Sequence, residues 1–394
     1  MIPYGRQSLN EDDIAAVTQV LRGDFLTQGP AIVEFETKLA DRCNADHSVA
    51  CNSGTAALHM AYQSLGIGPG DVVVVPANTF LATANAAVYL GADVRFCDVD
   101  PQSGLMTAQT LEPVLDCDVS LVVPVHFAGM ACDMKAIAEL VRWTSPRAKI
   151  VEDASHAIGA LHRDGSPVGS LEWSAMATFS FHPVKHIAAG EGGAVTVNDP
   201  ELLEKLRGFR CHGMTKDPTK LTKPEEGPWY YEMHDLGFNY RIPEASCALA
   251  SSQMNRLNDF LNRRRAIAEA YLSAWSTCDI IKLPNSEDLH YSAWHLFCLH
   301  VGLKNDSLDR ADWMSMLQQR GVGSQVHYYP VCDQPYYRNR YGCDKTHFTG
   351  AFEHYRTALS VPMYPAMSDA QVQTVIESVL DVASQSKPVV SHAA

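Results

Sequence analysis

Short runs rich in β-branched residues recur through the first half of the chain, at 71–75, 94–98, 119–126, 148–152, 176–181 and 194–198. They lie at intervals of roughly 20–30 residues, the spacing of βαβ units. The runs lack strict alternation of apolar and polar residues, which suits strands buried on both faces of a mostly parallel sheet. Helical patterns near 55–66, 81–90 and 133–143 fill the intervals, and right-handed crossovers are expected. An α/β fold follows, with the sheet held between helices.

Beyond the strand-rich part, a helical pattern is predicted from 244 to 275. Leu249, Leu257, Phe260, Leu261, Ala268 and Tyr271 fall along its stripe. It bridges into a smaller α+β part with strands expected at 295–301 and 324–328 and helices near 309–320 and 368–384. The expected organisation is therefore a large domain over 1–250, a small C-terminal domain over 251–384 and a fraying tail over 385–394. The polar, Pro-rich stretch 215–228 reads as a surface loop.

Charge and composition narrow the function. The net charge of −14 disfavours nucleic acid as a partner, because phosphate backbones are repelled. No run of roughly 18 apolar residues occurs, so no membrane span is expected. The eleven cysteines contain no C-x-x-C pair, which points to reduced thiols in a cytoplasmic protein and to no metal site.

Three motifs follow strand candidates and carry polar chemistry. Asn52-Ser53-Gly54-Thr55 opens an Ala/Leu-rich helix, and a helix N-terminus offers free N–H groups to a phosphate. Asp153 and His156 lie just past the 148–152 strand, where ligands gather in open α/β sheets. Lys185 follows the 176–181 strand among aromatic residues and histidines, with glycines at 190, 192 and 193. A desolvated lysine there is a nucleophile toward aldehydes. Read alone, each has an ordinary alternative: a capped helix, an N-cap aspartate, a lysine in a turn. Together, a phosphate cradle, a carboxylate and a lysine match pyridoxal 5′-phosphate (PLP). The phosphate would sit on the helix N-terminus, Asp153 on the pyridinium nitrogen, and Lys185 in a Schiff base.

The chain resembles the DegT/StrS-type sugar-nucleotide aminotransferases of fold-type I. The segments that carry the likeness are GDFLTQGP (23–30), NSGTAAL (52–58), PANTFLATANA (76–86), EDASHAIG (152–159), SFHPVK (180–185), GEGGAV (190–195), LGFNYR (236–241) and QVHYYPV (325–331). The resemblance implies that Phe80 stacks on the pyridine ring and that Gly54, Thr55 and Ser180 hold the phosphate. It implies that His156 packs beside the cofactor and that Lys185 shuttles the proton. Asn239 is expected to reach the cofactor of a neighbouring subunit, which would make the working unit a homodimer. Tyr4, Gln28, Arg241, His327 and Tyr328 are the implied contacts to sugar or UDP.

Within the family, His156, Phe80 and SFHPVK are similar to enzymes acting on UDP-linked 4-keto-6-deoxy-N-acetylhexosamines, above all the one of the pseudaminic acid pathway. The resemblance implies transfer of the amine of L-glutamate to carbon 4, with pyridoxamine 5′-phosphate between the two halves of the reaction. His186 departs from the small residue or proline expected there. The alternatives are a PLP-dependent dehydratase or aminotransferase acting at carbon 3, or on another nucleotide-linked keto sugar. A non-enzymatic regulator on the same fold would carry a DNA-binding segment, and no basic stripe is present.

Overall fold

The computed structural model describes residues 1–302 and 307–386. Two helices open the chain, α1 (Glu11–Arg22) and α2 (Pro30–Cys43). A capping box between Asn10 and Asp13 starts the first, and Pro30 at the first position starts the second. The central sheet has seven strands: β1 (His47–Cys51), β2 (Val72–Pro76), β3 (Asp93–Cys97), β4 (Val119–Val122), β5 (Lys149–Asp153), β6 (Met176–Ser180) and β7 (Gly193–Val197). Their order is β1-β7-β6-β5-β4-β2-β3, parallel from β3 to β6, with β7 antiparallel to both of its neighbours. The α/β expectation holds, with a mixed and mostly parallel sheet.

Burial on both faces explains the apolar runs. All five residues of β7 are buried, as are the last four of β2. One face packs under α3 (Gly54–Ser64), α4 (Leu81–Tyr89) and the helix Pro200–Arg210, through Met60, Tyr62, Leu206 and Phe209. The other packs under α2 and the helices Glu244–Met254 and Leu257–Trp275, through Phe35, Leu39, Phe179 and Leu261. A further core forms around the antiparallel pair Phe297–His300 and Ala358–Val361, where Tyr271, Trp275, Trp294, Trp313 and Val379 meet. The 215–228 stretch is an exposed loop, bracketed by a two-residue ladder of Met214–Thr215 with Glu232–Met233.

Three local expectations are corrected. The 244–275 helix is broken after Met254, because Arg256 turns back to pair with the buried carboxylate of Asp13. Ser252 Oγ donates to the same carboxylate at 2.7 Å. The 324–328 segment is no strand. It touches the sheet through one bridge, Gln325 with Ser360, and then turns inward carrying His327 and Tyr328. β1 is an unexpected strand. The last helix ends at Gln385, and the rest of the expected tail, 387–394, lies outside the described residues.

The long-range tie that fixes α2 comes from Glu244, only 1% exposed. Its carboxylate accepts from the N–H groups of Gly29 (2.9 Å), Ala31 (2.7 Å) and Ile32 (3.3 Å). Gly29 is the N-cap of α2 and offers no side-chain cap of its own, so Glu244 serves the orphan amides and the positive dipole end. Glu244→Ala is expected to destabilise the protein by about 3 kcal/mol in urea unfolding, and Glu244→Gln by less, since charged hydrogen bonds contribute about 1.5–3 kcal/mol each but act here as a group.

Candidate active site

β1, β6 and β5 have their carboxyl ends at one end of the sheet, β6 and β5 adjacent and β1 separated from β6 by the start of β7. Cys51 and Ser180 are both partners of Gly193, and Asp153 pairs with Thr178. Each strand delivers its motif at its carboxyl end. After β1, Ser53 caps α3 by accepting from the Ala56 N–H at 3.1 Å. This leaves the Gly54 and Thr55 amides of the first turn without intrahelical acceptors. Gly54 lies so close to β6 that a Cβ would stand 2.9 Å from Ser180 Cβ and 3.1 Å from its Oγ. The two amides and the two hydroxyls of Thr55 and Ser180 thus belong to one wall.

Asp153, at the end of β5, is buried. Its Oδ2 accepts from Thr83 Oγ1 at 2.8 Å and its Oδ1 from the Ser155 N–H at 3.1 Å. Because the Thr83 hydrogen is committed to the carboxylate, Thr79 donates to Thr83 Oγ1, 2.7 Å away. The carboxylate is therefore oriented from two sides and keeps lone pairs for a cationic N–H.

Lys185 follows β6, with its own N–H donating to the His182 carbonyl at 2.8 Å. Among the described residues its Nζ has no hydrogen bond and no ion pair. Burial lowers its pKa to about 8, against the opposing pull of Asp153. It is an amine that deprotonates near neutrality beside a carboxylate it does not touch. The buried imidazoles His156 and His327 stay neutral. His156 is held well below its ordinary range by burial, then by Lys185, His327 and His186. Burial and Lys185 lower His327 to about 3.

His156 has a defined tautomer. Its Nδ1 accepts from the Ala128 N–H at 3.3 Å, so Nε2 carries the hydrogen and donates to the Tyr328 hydroxyl, also at 3.3 Å. Ala128 holds a left-handed φ of +58°, and the turn is locked by Leu296, whose N–H donates to the Ala128 carbonyl at 3.2 Å. Tyr328 is anchored through its N–H to Asn78 Oδ1 at 3.2 Å. His327 Nδ1 meets Ser360 Oγ at 2.9 Å. Phe80 is 57% exposed and faces Tyr328 across 6.1 Å.

Lys185, Asp153, His156, Ser180, Gly54, Thr55, Phe80, Tyr4, His327 and Tyr328 all line one cavity of about 580 Å³. Asn239, Gln28 and Arg241 do not. Arg241 Nη1 donates to Cys211 Sγ at 3.2 Å, Gln28 Oε1 lies 4.0 Å from the same sulfur, and Asn239 bridges Cys211 through its backbone. The Asn239 carbonyl accepts from Asn52 Nδ2 at 3.5 Å. These three gather outside the cavity of their own chain. The sequence reading missed Thr83 and His295. The contact of Thr83 with Asp153 spans 70 residues and has no local signature.

The donor set fits PLP. Free amides and hydroxyls at a side-chain-free Gly54 suit a phosphate, Asp153 suits a protonated ring nitrogen, and the unpartnered Lys185 amine suits an aldehyde.

Comparison with known proteins agrees. The chain is 35% identical to the spore coat polysaccharide biosynthesis protein SpsC of Bacillus subtilis over 382 residues, covering 97% of each. Helicobacter pylori PseC, an aminotransferase involved in the biosynthesis of pseudaminic acid, superposes with a TM-score of 0.89 at 26% identity, over 97% of this chain and 99% of that one. The sugar aminotransferase Spr1654 of Streptococcus pneumoniae in its PLP form gives a TM-score of 0.88 at 27% identity, over 97% and 98% of the two chains. The same protein is known in a pyridoxamine phosphate form. The cofactor is therefore PLP. Residues 7–380 match one family throughout, and the chain belongs to the DegT/DnrJ/EryC1/StrS aminotransferase family.

Proposed function

We propose that this sugar aminotransferase moves the amine of L-glutamate to carbon 4 of a UDP-linked 4-keto-6-deoxy-N-acetylhexosamine, for pseudaminic acid or a related surface sugar. L-Glutamate leaves as 2-oxoglutarate and the keto sugar leaves as a 4-amino-4,6-dideoxy sugar, so atoms and electrons balance between the two halves. The observation that carries the reading is an unpartnered Lys185 amine, with a pKa near 8, facing a cavity that also holds Asp153.

When bound, PLP supplies a carbonyl carbon and an electron-accepting ring. The chain supplies the rest. Gly54, Thr55 and Ser180 bind the phosphate, and Asp153, oriented by Thr83, keeps the ring nitrogen protonated. Phe80, exposed in the cavity wall, would stack on the ring, a contact worth on the order of 1 kcal/mol, and Tyr328 beside it would contact the sugar. Lys185 Nζ takes the proton from the α-carbon of L-glutamate and, in the return half, delivers one to carbon 4 of the sugar. Tyr4 and His327 stand at the cavity wall for the sugar and its diphosphate.

Assembly as a homodimer in the cytoplasm belongs to the same reading. Asn239, Gln28 and Arg241 point to sites other than their own chain's cavity. Near them in sequence, Phe25, Leu26, Leu236 and Phe238 are all exposed large apolar residues. A second copy covering that surface would bring these residues to the partner's cofactor.

Two outcomes test the reading. Adding PLP should produce an absorbance band at the visible–ultraviolet edge that L-glutamate abolishes and a UDP-4-keto-6-deoxy sugar restores. In Lys185→Ala the band should be absent and turnover reduced by about 10²–10⁴-fold or more, as for loss of a general acid–base group. A glutamate response with no response to any UDP-linked keto sugar would discard the acceptor.

The second outcome concerns pH. A pKa lowered to about 8 leaves Lys185 protonated and unreactive below that value and a free amine above it. Reductive methylation of the cofactor-free protein, followed at the Lys185 peptide by mass spectrometry, should reach half its maximal rate near pH 8. Exposed lysines should need about pH 10.4.

A further inference from the structure

His295 lies in the cavity wall and has no part in the site as assigned above. It is 4% exposed, and its ring packs on His156 at 4.3 Å and on His186 at 5.4 Å. Its backbone is pinned. The carbonyl accepts from Nη1 of the buried Arg264 at 3.1 Å, and a Cβ on Gly129 would stand 2.8 Å from the His295 nitrogen. The ring is thus fixed in place.

Its two nitrogens are in different surroundings. Nδ1 is fully enclosed and has no hydrogen-bond partner. Nε2 is not enclosed in this way and bonds to no group among the described residues, so it faces the cavity. His156 differs: Ala128 and Tyr328 occupy both of its nitrogens.

The charged and titratable groups around His295 are His156, Lys185, His186 and Arg264. Burial first, and then each of these, works against a proton on the ring, so the imidazole is neutral. A neutral imidazole has one N–H. On Nδ1 it would be a buried donor without an acceptor, the rarer and costlier arrangement. On Nε2 it leaves an enclosed lone pair and puts a donor in the cavity.

We infer that His295 is a substrate-binding residue whose Nε2–H donates to an acceptor oxygen of the substrate held beside Lys185. The oxygen is a carboxylate oxygen of the amino donor or a hydroxyl or carbonyl oxygen of the sugar. This rests on the aminotransferase reading. A neutral donor of this kind binds independently of pH across the range in which an ordinary histidine titrates.

The test has two arms. The first uses the cofactor-free protein labelled with ¹⁵N-histidine. The resonances lost in His295→Leu identify His295, and they should report an Nε2–H tautomer that does not titrate between roughly pH 5.5 and 9. An Nδ1–H tautomer, or titration near the ordinary histidine value, overturns the inference. The second arm compares His295→Leu with His295→Gln, whose amide restores a donor. Wild-type protein must first respond to L-glutamate; if it does not, the aminotransferase reading fails and not the assignment of His295.

His295→Leu should raise KM for L-glutamate or for the sugar by about 10-fold, the loss of one neutral hydrogen bond. PLP affinity should stay within about twofold, and His295→Gln should recover most of the KM. The substrate whose KM moves names the oxygen. Unchanged KM for both substrates overturns the inference, as does an equal loss in both variants accompanied by a lower Tm.

Discussion

The site depends on an absent side chain. Gly193 starts β7 between the ends of β1 and β6, and any Cβ there would run into the Ser53 carbonyl and stand 2.7 Å from the Gly54 nitrogen. The chain leaving β1 therefore passes directly over the sheet edge. Gly54 makes the second close approach, against Ser180. These two bare positions bring a helix N-terminus within reach of β6. Asp153 lies one strand further on, so the distance between the phosphate wall and the carboxylate is set by strand spacing, about 4.8 Å.

Burial then sets the electrostatics. His156, His186, His295 and His327 line or surround the cavity, and desolvation keeps all four neutral. Among these buried groups Lys185 is the one whose lowered pKa, about 8, stays near neutrality. Asp153 is held by fixed donors and not by a salt bridge, so its orientation does not follow the charge on the lysine. Beneath it, Glu152 takes a hydrogen bond from His126 Nε2 at 2.7 Å, while the His126 N–H donates to the Asp153 carbonyl at 3.0 Å. The strand end is thus stiffened on both sides of the carboxylate.

The parallel strands were legible because burial on both faces selects Val, Ile and Phe without alternation. β1 was not, since His47, Ser48 and Cys51 leave HSVAC without a β-branched run and its partner in β7 lies far along the chain. The break after Met254 depends on Asp13, a contact no periodicity can reveal. At the site, glycines and a lysine after strands gave the phosphate wall and Lys185, since their chemistry depends on local geometry. Thr83 and His295 escaped because their value lies in tertiary neighbours. Asn239, Gln28 and Arg241 were recognised by resemblance, yet they cluster at Cys211 outside the cavity.

The carboxylate of Glu244 and the start of α2 are 215 residues apart in sequence. A chain emerging from the ribosome exposes α2 long before it exposes the group that secures it. β1 is in the same position, since its ladder partner ends at Val197. The second helix must therefore wait for Glu244 through synthesis of more than half the protein, and the first strand for β7 through more than a third, with only each other to pack against meanwhile. Contacts of such high sequence separation slow folding and leave apolar faces open meanwhile. Vectorial synthesis thus falls hardest on the segment that will form the phosphate wall.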